Sequence, residues 1–144
     1  MHMNMFDSWQ FWALLSALFA AMTAIFAKVG VTNINADFAT LLRTIVILLA
    51  LILIVWLTRQ FQPLQDISGK SLLFLTLSGL ATGASWLCYF RALKLGNASQ
   101  VAPIDKLSVV LVAIFGVLFL SEHLTVGNWA GIILISVGAL LLAL

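Results

Sequence analysis

The run QVAPIDKLSVVLVAIFGVLFL, Gln100 to Leu120, decides how the whole chain is read. From Leu107 onward it carries no charge, and Val101–Leu120, at about 1.5 Å per residue, reaches across roughly 30 Å of hydrocarbon as a single helix. Near its start, however, stand Pro103 and two adjacent opposite charges, Asp105 and Lys106. A segment this apolar that admits such residues close to its entry into oil is either an anchor with a polar end or part of a path for solute.

Working outward, four more windows have the same character: Trp9–Ala27, Phe38–Leu57, Leu72–Phe90 and Val126–Leu144. The composition agrees. Of 144 residues 63% are apolar and 8% charged, and the mean hydropathy is +1.16, whereas soluble domains carry about a quarter charged residues. Barrel strands alternate in polarity and these runs do not. The chain therefore reads as an all-α membrane protein, a single domain over 1–144 with five transmembrane helices. The opening MHMNMFDSWQ has no basic stretch of the kind that starts a signal peptide, so the first span is expected to be retained.

Four short connections link the spans: VTNINAD, TRQFQPLQDISGK, RALKLGNASQ and SEHLT. Pro63 and Gly69 punctuate the longest. Gly96-Asn97 predicts a left-handed cap on the third helix, and Ser99 is read as the N-cap of the fourth. Pro103 then falls in the first turn or so, where its missing N–H costs little, so it is read as a helix start rather than a functional kink. Cys88, the single cysteine, excludes an intrachain disulfide and is read as a small packing residue.

An odd number of spans puts the ends of the bundle on opposite sides. The N-terminal side receives Asp7, Arg59, Asp66, Lys70, Glu122 and His123, and the other side receives Lys28, Asp37, Arg43, Arg91, Lys94, Asp105 and Lys106. Counting every Lys and Arg would put the second side in the cytoplasm. If charges inside the spans serve function, the loop bias shrinks to Lys28, Arg91 and Lys94 against Arg59 and Lys70. So narrow a margin permits insertion in both orientations.

Arg43, Asp105 and Lys106 fall about five residues inside their spans, roughly 7–8 Å below the helix start. A charge at the centre of a membrane helix costs about 2.5–3.5 kcal/mol, less where a long side chain snorkels to the interface. Arg43 and Lys106 are long enough to do so; Asp105 is not, and it needs a cation, water or a proton. Helical neighbours point about 100° apart, so Asp105 and Lys106 are not expected simply to neutralise each other. Five cations against two acids on this side describe a polar vestibule for a small anionic or zwitterionic solute, with Lys28, Arg43, Arg91, Asp105 and Lys106 along it. The competing reading, strongest for Lys28 and Lys94, is an interfacial ring that anchors the bundle on lipid phosphates.

Trp9, Trp12, Trp56 and Trp129 sit near span ends, where aromatic belts form, but Trp86 lies deep in the third span, close to Tyr89. Trp86 and Tyr89 are candidates to line the path, with packing or lipid contact as the alternative. Gly79 with Gly83, and Gly127 with Gly131, form small-residue pairs that allow helices to approach closely. Glu122 and His123 read as a solvated helix end. No nucleophile–base pairing, phosphate loop or metal-ligand spacing occurs, so neither enzyme nor cofactor is expected. A net charge of +2 with no basic run gives no footprint for nucleic acid.

The segment YFRALKLGNASQVAPIDKLSVVLVAIFGVLFLSEHLTVGNWAGIILISVGALLL, Tyr89 to Leu142, resembles the EamA-type repeat of the drug/metabolite transporter superfamily. The likeness lies in the small-residue turn, the Ala-Pro that opens the fourth span, the apolar run ending in Glu before Leu-Thr, and the Gly-rich last helix. ALFAAMTAIFAKVG and FATLLRT are similar to the first helix and the start of the second. The resemblance implies a half-size, five-helix transporter of a bacterial or archaeal inner membrane, pairing antiparallel with a second copy into a ten-helix inverted-repeat unit. It also implies polar or charged residues at the positions of Arg43, Arg91, Asp105 and Glu122. IDKLS departs from the uncharged stretch of many fused members, which puts any substrate carried over from them in doubt. The first span lacks the acid of the related multidrug exporters, which disfavours lipophilic cations. The expectation is a dual-topology homodimer, in contact with membrane lipids, that moves a small polar metabolite by alternating access. The alternative is a structural or flippase subunit that partners another small membrane protein.

Overall fold

The computed structural model describes residues 8–144; Asp7 lies outside them. Every regular element among the described residues is helical: α1 (Trp9–Gly30), α2 (Ala36–Leu57), a 3₁₀ turn (Leu64–Asp66), α3 (Gly69–Leu95), α4 (Ala98–Asp105), α5 (Ser108–Leu120) and α6 (Val126–Ala143). Taken together, α4 and α5 form one span, which gives five segments long and apolar enough to cross a membrane. At most 11% of the most apolar stretch of any span is buried within the chain. Helices apolar all round and this exposed belong against lipid or against another chain.

Two compact units divide the chain, Met1–Val29 with Leu95–Leu144, and Gly30–Lys94. In the second, Asn35 caps α2, its Oδ1 accepting from the backbone of Asp37 at 2.8 Å and Phe38 at 3.2 Å. The first turns of α2 bury Ala36, Ala39 and Thr40, and the last turns of α3 bury Phe90 and Leu93. Thr40 satisfies its buried hydroxyl on the carbonyl of Ala36 at 2.9 Å, and Thr44 repeats the pattern on Thr40 at 2.7 Å.

The far end of α2 closes in a paired turn. Arg59 N–H donates to Trp56 O at 3.2 Å and Gln60 N–H to Val55 O at 3.0 Å, with Arg59 in the left-handed region at φ 53°. This is the Schellman arrangement, whose left-handed position usually holds glycine. An L-residue there costs about 1–2 kcal/mol.

In the first unit α6 packs chiefly along α4 and also meets α5. Thr125 caps α6 by accepting from Asn128 N–H at 3.2 Å. The fourth span differs from its reading as one continuous helix. Asn97, not Ser99, takes the N-cap position, which moves Pro103 beyond the first turn and removes an intrahelical bond to the carbonyl of Ser99. The backbone then tightens: Lys106 N–H reaches Pro103 O at 3.0 Å, Leu107 reaches Ile104 O at 3.0 Å and Val110 reaches Leu107 O at 3.1 Å. These i to i−3 bonds separate α4 from α5.

Two further expectations are corrected. No glycine among the described residues has positive φ, and Asn97 sits at φ −73°, so the third helix lacks the left-handed cap expected of Gly96-Asn97. The carbonyl of Gly96 instead accepts from Lys28 Nζ at 2.8 Å. Cys88 is exposed on α3 rather than packed within the chain.

Candidate functional site

On α2 the buried Ala36, Ala39 and Thr40 define one face, and Arg43, three residues beyond Thr40, continues it at helical spacing. On α3 Trp86, Phe90 and Leu93 share a face by the same spacing. The two faces meet through Arg43. Its guanidinium carbon lies 3.9 Å from the Trp86 ring centroid and 5.6 Å from that of Phe90. The small side chains that precede Arg43 leave it to span the gap. A cation over an indole gains about 0.5–1 kcal/mol when exposed and about 2 when desolvated. The ring offers no hydrogen-bond acceptor in its plane, and Arg43 Nη1 is out of contact with solvent and has no hydrogen-bond partner.

Toward the start of α2 the second arginine is held differently. Arg91 forks onto Asp37, Nε to Oδ1 at 2.9 Å and Nη2 to Oδ2 at 2.7 Å, with both side chains about half exposed. Lys94 Nζ donates to the carbonyl of Ile34 at 2.7 Å. Tyr89 is half-buried on α3 between Trp86 and Phe90.

In the first unit Lys106 Nζ lies 3.1 Å from Asp105 Oδ2, with Asp105 36% and Lys106 62% exposed. This corrects the expectation that these neighbours would not neutralise each other. The local departure from α-helical geometry and the long arm of Lys106 bring the charges together. Glu122 is exposed, in keeping with the solvated helix end read from the sequence. Ser121 adopts φ 55°, Glu122 N–H bonds back to Gly116 O at 3.1 Å, and a Cβ added to Gly116 would lie 2.6 Å from Glu122 Oε2. The carboxylate is folded over a bare patch of α5. His123 joins no cluster of three His, Cys, Asp or Glu side chains among the described residues.

The sequence reading grouped Lys28, Arg43, Arg91, Asp105 and Lys106 with Trp86 and Tyr89. Of these, Arg43 meets Trp86 and Asp105 meets Lys106, while Lys28 and Arg91 are engaged with Gly96 and Asp37. Asp37 and Phe90 were missed as site residues. Their signal was indirect: in an antiparallel helix pair, the second residue of α2 comes level with the last turns of α3. Among the described residues, the glycine pairs make no close approach within their own unit. A Cβ at Gly79, Gly83 or Gly131 would meet nothing within 4 Å, and one at Gly127 would meet only Thr125 Oγ1 at 3.7 Å.

A model of the EamA-like transporter family matches residues 7–144. A protein of Sinorhizobium sp. described as an "uncharacterized transporter in cobO 3′ region" is 67% identical over 139 residues, which is 96% of this chain and 99% of that relative. An uncharacterized protein of Methanocaldococcus jannaschii is 30% identical over 132 residues, 91% of this chain and 93% of that protein. No solved structure matches. With its five apolar spans and these relatives, the chain is an integral multi-pass membrane protein and belongs to the EamA-like transporter family of the drug/metabolite transporter superfamily.

Proposed function

We propose that this transporter carries a small metabolite with an anionic group, and that Arg43 is the side chain that receives it. One observation supports this above the rest. Of the five cations assigned from sequence to the vestibule, Lys28, Arg91, Lys94 and Lys106 each hold a carbonyl or carboxylate. Arg43 lies on an indole and keeps a buried nitrogen without an acceptor. A buried donor left unsatisfied costs about 1–3 kcal/mol, more when charged, and an arriving carboxylate or phosphate oxygen would remove that cost.

In this reading Trp86 holds the guanidinium in place and Tyr89 borders the approach. Arg91, on the same helix pair, adds to the local positive potential, and in the other unit Asp105 keeps Lys106 in position. The whole chain acts as one membrane domain. A single five-helix repeat has one polar mouth, and alternating access needs an equivalent mouth on the other face. An antiparallel second copy supplies it, and the uncovered glycine faces of α3 and α6 are where close helix contact with that copy is proposed.

Purified protein in liposomes tests this by counterflow of labelled amino acids, organic acids and sugar phosphates. Exchange of an anionic solute, lost in Arg43→Gln and in Asp105→Asn with expression intact, is the expected result. Normal exchange by Arg43→Gln would remove the assignment. Topology is read by thiol labelling of Ser8→Cys and Asn97→Cys in a Cys88→Ser background, required because Cys88 is exposed. Labelling of each site from both faces is expected, and labelling from one face only would end the homodimer reading.

A further inference from the structure

We propose a second anion site, distinct from the solute site, at the Arg59 end of α2: a pocket for the phosphate of an anionic phospholipid. Arg59 lies sixteen residues along the chain from Arg43, about 24 Å at helical rise. Three independent features converge on it.

The first is the backbone. The turn that ends α2 needs one left-handed residue and would close most easily with glycine, yet Arg59 occupies that position at φ 53°. A strained position held by a charged residue is a place to look for a function of its side chain. The second is the pocket. A cavity of about 520 Å³ is lined by Trp56, Leu57, Arg59 and Phe61, all within the Gly30–Lys94 unit. Its walls are two aromatic rings and a leucine, each about two-thirds exposed, and Arg59 is its one charged group. The third is the state of that charge. Arg59 makes no ion pair among the described residues, not even with Asp66 of the same connection.

These features select the ligand. A guanidinium presents paired N–H donors that match two oxygens of a phosphate. Arg59 stands two residues beyond the last residue of an apolar span, at the level where aromatic belts and lipid headgroups lie. Trp56 and Leu57 belong to the lipid-accessible surface of α2, so a molecule whose phosphate meets Arg59 has its acyl chains beside the helix. A soluble phosphate would use the guanidinium but leave the apolar walls unused.

The experiment is thermal unfolding of the purified protein in neutral detergent, titrated with phosphatidylglycerol, with phosphatidylcholine or with inorganic phosphate. Phosphatidylglycerol should raise the unfolding temperature saturably, and the other two should not. Arg59→Gly should keep or raise the lipid-free unfolding temperature, because glycine suits the turn, while weakening the phosphatidylglycerol response roughly tenfold or more. Phe61→Ala leaves the turn and the charge in place and should weaken the same response to a smaller degree. An Arg59→Gly protein that responds to phosphatidylglycerol like the unaltered one would overturn the site. An equal response to inorganic phosphate would overturn the lipid assignment, and an equal response to phosphatidylcholine would show that no anion is recognised. None of these outcomes depends on Arg43 or on transport.

Discussion

Arg91 and Arg43 are held by the same two helices, one near the start of α2 and the other six residues further into it than Arg91's partner, Asp37. Arg91 is satisfied: a carboxylate takes two of its nitrogens at 2.9 and 2.7 Å. Arg43 rests on an indole face at 3.9 Å, which balances part of its charge while leaving a buried N–H without an acceptor. The difference lies in what each partner can accept. A carboxylate fills the donor fork of an arginine, whereas an aromatic face fixes the plane of the guanidinium and leaves its edge available. Within one helix pair, the same residue type is thus held as a structural tie in one place and, in the proposed function, as a receptor in the other.

Breaking the receptor should have the largest effect. Arg43→Ala removes charge and donors together, and anion exchange in liposomes should fall by about 100-fold, a loss of about 2.7 kcal/mol for a charged hydrogen-bonded contact. Arg43→Lys keeps the charge but loses the planar fork, so about a tenfold loss is expected, and full activity in Arg43→Lys would show that a point charge suffices. Next comes the platform. Trp86→Leu should weaken solute affinity by roughly 3- to 30-fold, in line with a cation–π contribution of about 0.5–2 kcal/mol. Trp86→Phe should fall between the two, as read from the half-saturating solute concentration.

The tie should matter less to transport and show itself in stability. Asp37→Asn and Arg91→Gln should each lower the unfolding temperature only slightly, as expected of a solvent-exposed ion pair. The double variant Asp37→Arg with Arg91→Asp should recover most of that loss in a thermal-shift cycle. A collapse of exchange in Asp37→Asn as deep as in Arg43→Ala would erase the distinction between the two arginines. The smallest effect concerns a third ionic group, Glu122. Gly116→Ala would press a methyl against the flexible end of that side chain, which should swing aside at a stability cost of about 0.5 kcal/mol or less. Glu122→Ala should then cancel the cost.

The sequence made the spans legible because membrane thickness sets the length of an apolar run and five such runs are present. It also placed Arg43 and Trp86 among the site candidates, since a cation and an indole within spans need a reason. What it did not convey depends on contacts far apart in the chain. Asp37 and Arg91 are 54 residues apart, and no local pattern joins them. Gly96-Asn97 does end the third helix, but without a left-handed cap, and the Gly96 carbonyl is taken by Lys28, 68 residues earlier. The break between α4 and α5 was hidden by a shift of two residues in the helix start, from Ser99 to Asn97, which carried Pro103 past the first turn. Arg59 and Ser121 in left-handed positions run against residue preference, and preference was the guide available.

The central claim is that Arg43 offers a free edge to a solute anion while Trp86 holds it flat. It is tested most directly in a variant with Trp9, Trp12, Trp56 and Trp129 replaced by phenylalanine, so that Trp86 alone reports in lipid nanodiscs. Titration with amino acids, organic acids and sugar phosphates should give a saturable change in Trp86 fluorescence for at least one anion. That change should vanish in Arg43→Gln and persist in Asp37→Asn. A change that survives Arg43→Gln, or one lost equally in Asp37→Asn, would contradict the assignment of Arg43 as the receiving group.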